Sequence, residues 1–106
     1  MKPGQKFRNA LKNNKPLIIP GTINAYSAKL AELANHNSIY LSGSGVAAAS
    51  YGLPDLGVTT LENVLIDAKR ITSATSLPLL VDIDTGWGDF DAVSYTHLTL
   101  PTKRIV

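Results

Sequence analysis

The sequence contains no cysteine among its 106 residues. Disulfide bonds, thiolate metal sites and cysteine nucleophiles are therefore excluded within this chain, and their absence favours a cytoplasmic protein. Long apolar runs are also missing, because no stretch approaches the roughly 18 residues that are needed to span a bilayer. We therefore expect neither membrane insertion nor secretion.

The charge pattern gives little support for a nucleic-acid partner. The net charge is +2, and it comes from Lys103 and Arg104 near the end of the chain. Without these two residues, the basic and acidic side chains balance. No stripe of lysine or arginine is interleaved with aromatic residues, so the usual electrostatic signature of a nucleic-acid surface is absent.

Helical and strand patterns alternate along the chain. With 44% hydrophobic residues, this length permits one small domain or a piece of a larger one. The three predicted strands are too apolar for one face to be exposed, which predicts parallel β/α units. In chain order we expect a leading helix around Phe7–Leu11, a strand at Leu17–Ile19, a helix after Asn24, a strand at Ser38–Leu41, a helix after Thr59, and a strand at Leu79–Ile83.

Two of the predicted helices carry an apolar stripe. Asn24 is a suitable cap for the first, and Thr59 with Glu62 has the spacing of a capping box for the second. Between the second strand and this second helix we expect a long loop with at most one helical turn. The stripes consist of Tyr26, Leu30, Leu33 and Ala34 in the first helix, and of Leu61, Val64, Leu65, Ala68 and Ile71 in the second.

Two aspartates lie at the end of the third predicted strand. Asp82 and Asp84 are two residues apart, so an extended backbone would place both carboxylates on one face. Carboxylate oxygens suit Mg²⁺, and the carboxyl ends of parallel strands are where β/α enzymes place their chemistry. An Asp-x-Asp triplet also occurs in surface loops and in sugar-nucleotide transferases, so the metal interpretation depends on this position.

A glycine-rich segment, Ser42–Gly45, follows the second predicted strand directly. Glycines let backbone N–H groups approach an anionic ligand, but the spacing is not that of a nucleotide-phosphate loop. A flexible β/α turn explains the composition equally well. Asp55 is either a third acid near the metal or a turn residue after Pro54.

Several sequence blocks, taken together, closely resemble the methylisocitrate lyases, which belong to the isocitrate lyase and phosphoenolpyruvate mutase superfamily. The resemblance covers nearly everything up to about residue 90, and several blocks in order are more specific than one triplet. The blocks are Ile23–Ser27, Tyr40–Ala47, Ser50–Gly57 and Leu79–Gly88.

The resemblance implies a (β/α)8 barrel of the TIM type, of which this chain would form the amino-terminal part with about three β/α units. It implies that Asp82 and Asp84 hold Mg²⁺ and that Asp55 belongs to the outer shell of the metal. It also implies a substrate pocket lined by Tyr40, Ser42, Gly43 and Ser44. The complete protein would be a homotetramer.

The reaction implied by the resemblance is the cleavage of 2-methylisocitrate to pyruvate and succinate, in the methylcitrate cycle of propionate catabolism. The family's proton donor is a cysteine in a loop after the third strand, and this chain has no cysteine. We therefore expect no catalytic residue here and an inactive fragment. Alternatives are isocitrate lyase, oxaloacetate decarboxylase or phosphonomutase activity, or a non-catalytic truncated interaction partner.

The last residues follow a different pattern. From about residue 92 to residue 106 there is neither a helical stripe nor a clean strand followed by a cap. We therefore divide the chain into a partial barrel at residues 1–91 and a tail at 92–106. The tail is either foreign, as if vector DNA had been translated, or an ordinary disordered terminus.

Overall fold

The computed structural model describes residues 1–56, 59–83 and 86–87. The predictions for Asp84 and for residues 92–106 thus lie outside the described residues. No helix within the described ranges is long and apolar enough to cross a membrane. These ranges form α1 (Pro3–Asn13), α2 (Ala25–Leu33), β1 (Ile39–Leu41), α3 (Gly43–Tyr51), α4 (Leu61–Ala74) and β2 (Leu79–Val81).

The two strands form a parallel pair. The register places Tyr40 opposite Leu80 in the middle of the pair. Burial alternates along each strand, with the outer two residues buried and the middle one half-buried. One face of the sheet therefore packs on the helices, while the other carries Tyr40 and Leu80. The helical side of the core is built mainly by Ala28, Ala31, Val64, Ala68 and Ile71.

The predicted first strand at Leu17–Ile19 is wrong in position and in burial. Ile18 is 67% exposed, and the only strand-like pairing in this part of the described chain is an isolated parallel bridge between Gly21 and Tyr40. The Tyr40 N–H donates to the Pro20 carbonyl at 2.9 Å, and the Thr22 N–H donates to the Tyr40 carbonyl at 2.7 Å. Because proline has no N–H to give, the pairing begins at Pro20 through its carbonyl.

The leading helix is confirmed as α1. Pro3 occupies the start of the helix, where its missing N–H costs nothing, and Asn14 forms the C-cap. Phe7 and Ala10 are buried. The Lys6 ammonium donates to the Ser76 carbonyl at 3.2 Å, which ties α1 to the segment before β2.

Helix α2 begins as predicted but buries a different face. Asn24 caps it, accepting from the Ser27 N–H at 2.8 Å, while the Ser27 hydroxyl accepts from the Asn24 N–H at 3.2 Å. The predicted apolar stripe of Tyr26, Leu30, Leu33 and Ala34 is exposed, and Ala28 and Ala31 face the core. Small alanine side chains allow the helix axis to lie close to the sheet, which explains why hydrophobicity alone selected the wrong face.

The long loop predicted after β1 is instead largely helix α3. Ser42 is its N-cap, and Gly52 ends it with a left-handed φ of 63°. The small-residue run from Val46 to Ser50 includes three alanines, the residue with the highest helix propensity. The glycines at the start had suggested a loop, but they occupy the first turn, where the capping residue fixes the backbone.

Helix α4 confirms the strongest helical prediction, with one correction at its start. The capping box is formed by Thr60 and Asn63 rather than by Thr59 and Glu62. The helix ends before Thr75, as expected. Of the predicted stripe, Leu65 is half-buried, and the buried members are Leu61, Val64, Ala68 and Ile71.

Candidate active site

The carboxyl ends of β1 and β2 meet at one edge of the sheet. The Asp82 N–H donates to the Leu41 carbonyl at 3.0 Å, so the hydrogen bonding to β1 extends one residue past the end of β2. The register of the strands, continued by one residue, sets Asp82 beside Ser42. Neighbouring strands lie about 4.8 Å apart. The predicted metal carboxylate and the start of the glycine-rich segment are therefore adjacent.

Ser42 and Asp82 both lie on the face of the sheet that points away from the helical core. Ser42 is extended, with φ −88° and ψ 134°, so the alternation of β1 continues through it. Ser42 follows Tyr40 by two residues and Asp82 follows Leu80 by two, which places all four on one face. Ser42 and Asp82 are each half-buried. In a closed barrel this face is the interior.

The glycine-rich segment forms the first turn of α3. The Ser42 hydroxyl accepts from the Gly45 N–H at 3.4 Å and lies 3.0 Å from the Ser44 hydroxyl. The first N–H groups of any α-helix lack intrahelical partners, and the helix dipole favours an anion there. This turn therefore presents backbone N–H groups and two hydroxyls beside Asp82, an arrangement that suits a carboxylate ligand.

A close contact explains the glycine at position 45. A Cβ atom built on Gly45 would lie 3.0 Å from Cγ2 of Ile23. Ile23 directly follows residues 20–22, which pair with Tyr40 of β1. The start of α3 is thus packed against the chain that precedes α2, and a larger residue at position 45 would require the Ile23 side chain to shift.

The structure places only some of the predicted site residues at this edge of the sheet. Tyr40 lies in β1, Ser42, Gly43 and Ser44 follow it, and Asp82 follows β2, and the binding roles of all five stay predictions. Asp55 is exposed in the segment between α3 and α4, and its outer-shell role stays a prediction. Asp84 lies outside the described residues.

The donor atoms at this edge fit a hard cation. A carboxylate and two hydroxyls supply only oxygen ligands, which Mg²⁺ prefers over nitrogen and sulfur. Within the described ranges no three acidic, histidine or cysteine side chains cluster tightly enough to hold a metal alone. Asp82 offers one carboxylate at this edge, so a metal site here would need further oxygen donors.

A buried carboxylate that the sequence analysis did not single out joins α3 to α4. Asp67 is only 3% exposed, and the Ser50 hydroxyl donates to its Oδ2 at 2.6 Å. Arg70 lies 3.8 Å from the other carboxylate oxygen, with most of its side chain in solvent. The spacing of Asp67 from Val64 and Ile71 placed it on the buried face, which was the available signal.

We expect Ser50→Ala to lower the free energy of unfolding by about 1–2 kcal/mol, because the buried Asp67 carboxylate loses its closest donor. Urea unfolding followed by circular dichroism measures this change. Ser73→Ala, at an exposed position of α4, is the matched control and should change it by less than about 0.5 kcal/mol. Equal effects of the two substitutions would show that the bond contributes nothing.

A family model described as phosphoenolpyruvate phosphomutase matches residues 7–101 of this sequence. The match covers most of the chain. The chain belongs to this family. The resemblance stated from the sequence blocks is thereby confirmed at the level of the family.

Curated relatives in this family include 2-methylisocitrate lyases. The protein of that name from Shewanella oneidensis is 68% identical over 85 residues, which are 80% of this chain and 29% of the relative. The one from Escherichia coli is 60% identical over 86 residues, again 29% of its length. The chain thus spans less than a third of the curated relatives it matches.

Solved structures give the same fold. A crystal structure of 2,3-dimethylmalate lyase superposes with a TM-score of 0.83 at 31% identity, covering 99% of this chain and 38% of that one. A phosphonopyruvate hydrolase in complex with oxalate and Mg²⁺ has a TM-score of 0.80 at 34% identity, covering 99% of this chain and 37% of that one. These superfamily members are TIM barrels, so the β/α units described above are part of a (β/α)8 barrel.

Proposed function

We propose that this chain supplies the first β/α units of a Mg²⁺-dependent carbon–carbon lyase that cleaves 2-methylisocitrate to pyruvate and succinate. The observation that carries the proposal is the adjacency of Asp82 to the N-terminus of α3 at the carboxyl edge of the sheet. The names of the curated relatives from Shewanella oneidensis and Escherichia coli support this substrate. The cytoplasm and the methylcitrate cycle of propionate catabolism are the corresponding place and pathway.

Asp82 would hold the metal, with Asp84 as a second ligand and Asp55 in the outer shell. When bound, Mg²⁺ would act as a Lewis acid that stabilises negative charge on substrate oxygens. The oxalate and Mg²⁺ bound by the phosphonopyruvate hydrolase support a metal and a small carboxylate at such a site.

The residues around Ser42 would bind the substrate's carboxylate. One hydroxyl of the hydrogen-bonded Ser42–Ser44 pair would donate to the substrate, and the first backbone N–H groups of α3, at Gly43 and Ser44, would add two more donors. Tyr40 lies on the same face one step below Ser42 and would form the floor of the pocket. The Ser50 hydroxyl, at the far end of α3, bonds to Asp67 of α4, and this bond would limit movement of the helix that carries these donors.

The proton needed to complete the cleavage would come from outside this chain, since a cysteine donor is absent from its sequence. For that reason the activity belongs to the complete barrel, which we propose is a homotetramer. The division into a partial barrel at residues 1–91 and a tail at 92–106 is also proposed, because the sequence pattern changes there.

A hybrid enzyme tests the proposed function. We expect pyruvate release from 2-methylisocitrate when the matched segment of the Shewanella oneidensis lyase is replaced by the corresponding part of this chain, with kcat/KM within about tenfold of the parent enzyme. A coupled lactate dehydrogenase assay measures the pyruvate. Residues 1–106 alone should release none. A folded hybrid without activity, or turnover by the chain alone, would contradict the proposal.

A further inference from the structure

Trp87 has a left-handed backbone, which is unusual for a bulky residue. Its φ is 65°, and the residue before it, Gly86, has a φ of 82°. Glycine adopts such angles freely, but the Cβ atom of any other residue crowds the following carbonyl oxygen there. In the described part of the chain, the other non-glycine residue with a positive φ is Asn35, and asparagine tolerates this region better than tryptophan does. A tertiary restraint therefore holds Trp87 in this conformation.

Packing of the indole ring on the core supplies that restraint. Trp87 is half-buried, and it packs against the same hydrophobic core cluster as Ile83. A tryptophan ring has a large apolar surface, so its burial offsets an unfavourable backbone conformation. Loss of the ring would leave the left-handed backbone without this support.

The restrained residues lie just after Asp82, at the carboxyl edge of the sheet. The Gly86 N–H donates to the Ile83 carbonyl at 2.7 Å, which bonds the left-handed pair back to the residue that follows Asp82. Ile83 and Trp87 are two apolar anchors on one core cluster. On its preceding side, Asp82 is held by its own N–H, which donates to the Leu41 carbonyl. The backbone at Asp82 is thus restrained by β1 and by the packing of Trp87.

We propose that Trp87 is a positioning residue, whose ring fixes the left-handed backbone that keeps the Asp82 carboxylate oriented toward the metal. The inference rests on the proposed function, because it takes Asp82 as a metal ligand. Left-handed conformations of bulky residues persist where the surrounding packing determines them, and such strain is concentrated at functional sites. A ligand that is oriented in advance binds a metal more tightly, so loss of the ring should weaken Mg²⁺ binding together with turnover.

Three substitutions separate the ring from the backbone. They are made in the hybrid enzyme, built so that the segment from this chain includes Trp87. Trp87→Phe keeps a ring on the core and should keep kcat/KM within about threefold. Trp87→Ala should lower kcat/KM by about 10–100-fold and raise the Mg²⁺ concentration for half-maximal activity. Trp87→Gly also lacks the ring but accepts a positive φ, so its kcat/KM should stay about fivefold above that of Trp87→Ala.

The order of glycine and alanine distinguishes positioning from packing. A role in core packing alone predicts that Trp87→Gly is the worse variant, because glycine fills less space and is more flexible than alanine. Leu77 is a matched control, since it is half-buried against the same core cluster but precedes β2. Leu77→Ala should leave the Mg²⁺ concentration for half-maximal activity unchanged. An equal rise for Leu77→Ala and Trp87→Ala, or a Trp87→Gly enzyme below Trp87→Ala, would overturn the proposal.

A double-mutant cycle separates failure of this inference from failure of the proposed function. If Trp87 acts through Asp82, Trp87→Ala should cost less than about threefold in kcat/KM once Asp82→Asn is present. Fully additive losses would overturn the positioning role and leave Asp82 as a metal ligand. An unchanged Mg²⁺ requirement in Asp82→Asn would overturn both proposals. If Trp87→Ala does not fold, the same cycle with Trp87→Gly decides between these outcomes.

Discussion

Asp82→Asn in the hybrid enzyme should reduce kcat/KM for 2-methylisocitrate by about 10²–10³-fold, the range found when a preorganised charge-stabilising group is removed. The substitution keeps the size of the side chain but removes the negative charge beside Ser42, where we propose that Mg²⁺ binds. Steady-state pyruvate release at several Mg²⁺ concentrations measures the effect. The Mg²⁺ concentration for half-maximal activity should rise as well.

Substitutions at two other acidic residues, Asp55 and Glu62, give losses of kcat/KM to compare with that of Asp82→Asn. Asp55→Asn should cost about 10-fold if Asp55 orients ligands of the metal from its outer shell. Glu62→Gln removes an exposed acid in the first turn of α4 and should leave kcat/KM unchanged. Equal losses for Asp82 and Glu62 would contradict a metal site at the carboxyl edge. An unchanged Mg²⁺ requirement in Asp82→Asn would do the same.

Leu41→Ala should destabilise the chain by about 2–5 kcal/mol, the range for truncating a buried leucine. Leu41 is fully buried at the end of β1, so its removal leaves a cavity between the sheet and the helices. Domains are stable by only about 5–15 kcal/mol, so this loss is a large fraction of the total. The midpoint of guanidinium unfolding, followed by circular dichroism, measures it.

Ile18→Ala, which truncates an exposed aliphatic side chain, is the control for Leu41→Ala. Ile18 is 67% exposed, so Ile18→Ala should move the midpoint little. If Ile18→Ala is as destabilising as Leu41→Ala, the segment before α2 is packed as a buried strand, as the sequence had suggested. Because the Leu41 carbonyl accepts from Asp82, a displaced β1 should also lower activity in the hybrid.

The sequence correctly predicted those helices and strands whose own residues carry the pattern that defines them. Helix α4 has a continuous apolar stripe from Leu61 to Ile71, about three turns, and this stripe packs against the core. The strands β1 and β2 were also found where expected, although each is shorter than predicted. Their apolar composition reflects burial, while strand length depends on how far the pairing extends.

Elements whose form depends on their neighbours were predicted less well. The exposed stripe of α2 shows that an apolar face need not be the core face, because Ala28 and Ala31 allow closer packing than leucine does. A single bridge at Gly21 stands in place of the strand predicted at Leu17–Ile19. Its position depends on pairing with Tyr40, a contact between distant parts of the chain that local sequence does not reveal. The capping box of α4 shifted by one residue, since Thr59 and Thr60 are both good caps and local spacing does not separate them.

At the candidate site, too, the sequence indicated some features and missed others. Asp82 and the segment after Ser42 were identified because β/α proteins place chemistry at the carboxyl ends of strands. That this segment is the start of a helix was missed, since glycines disfavour helix interiors but are tolerated in a capped first turn. The buried Asp67 went unnoticed because a single acid within a helical pattern usually faces solvent.

The order of pairing around β1 has a consequence for synthesis on the ribosome. Strand β1 bonds on one side to residues 20–22 through Tyr40 and on the other side to the β2 segment through Ile39 and Leu41, so neighbours in space are neighbours in the chain. Each newly emerged β/α unit can add to the one before it without waiting for distant segments. Vectorial growth of this kind keeps loop-closure entropy low and suits a polypeptide that folds while it is being translated.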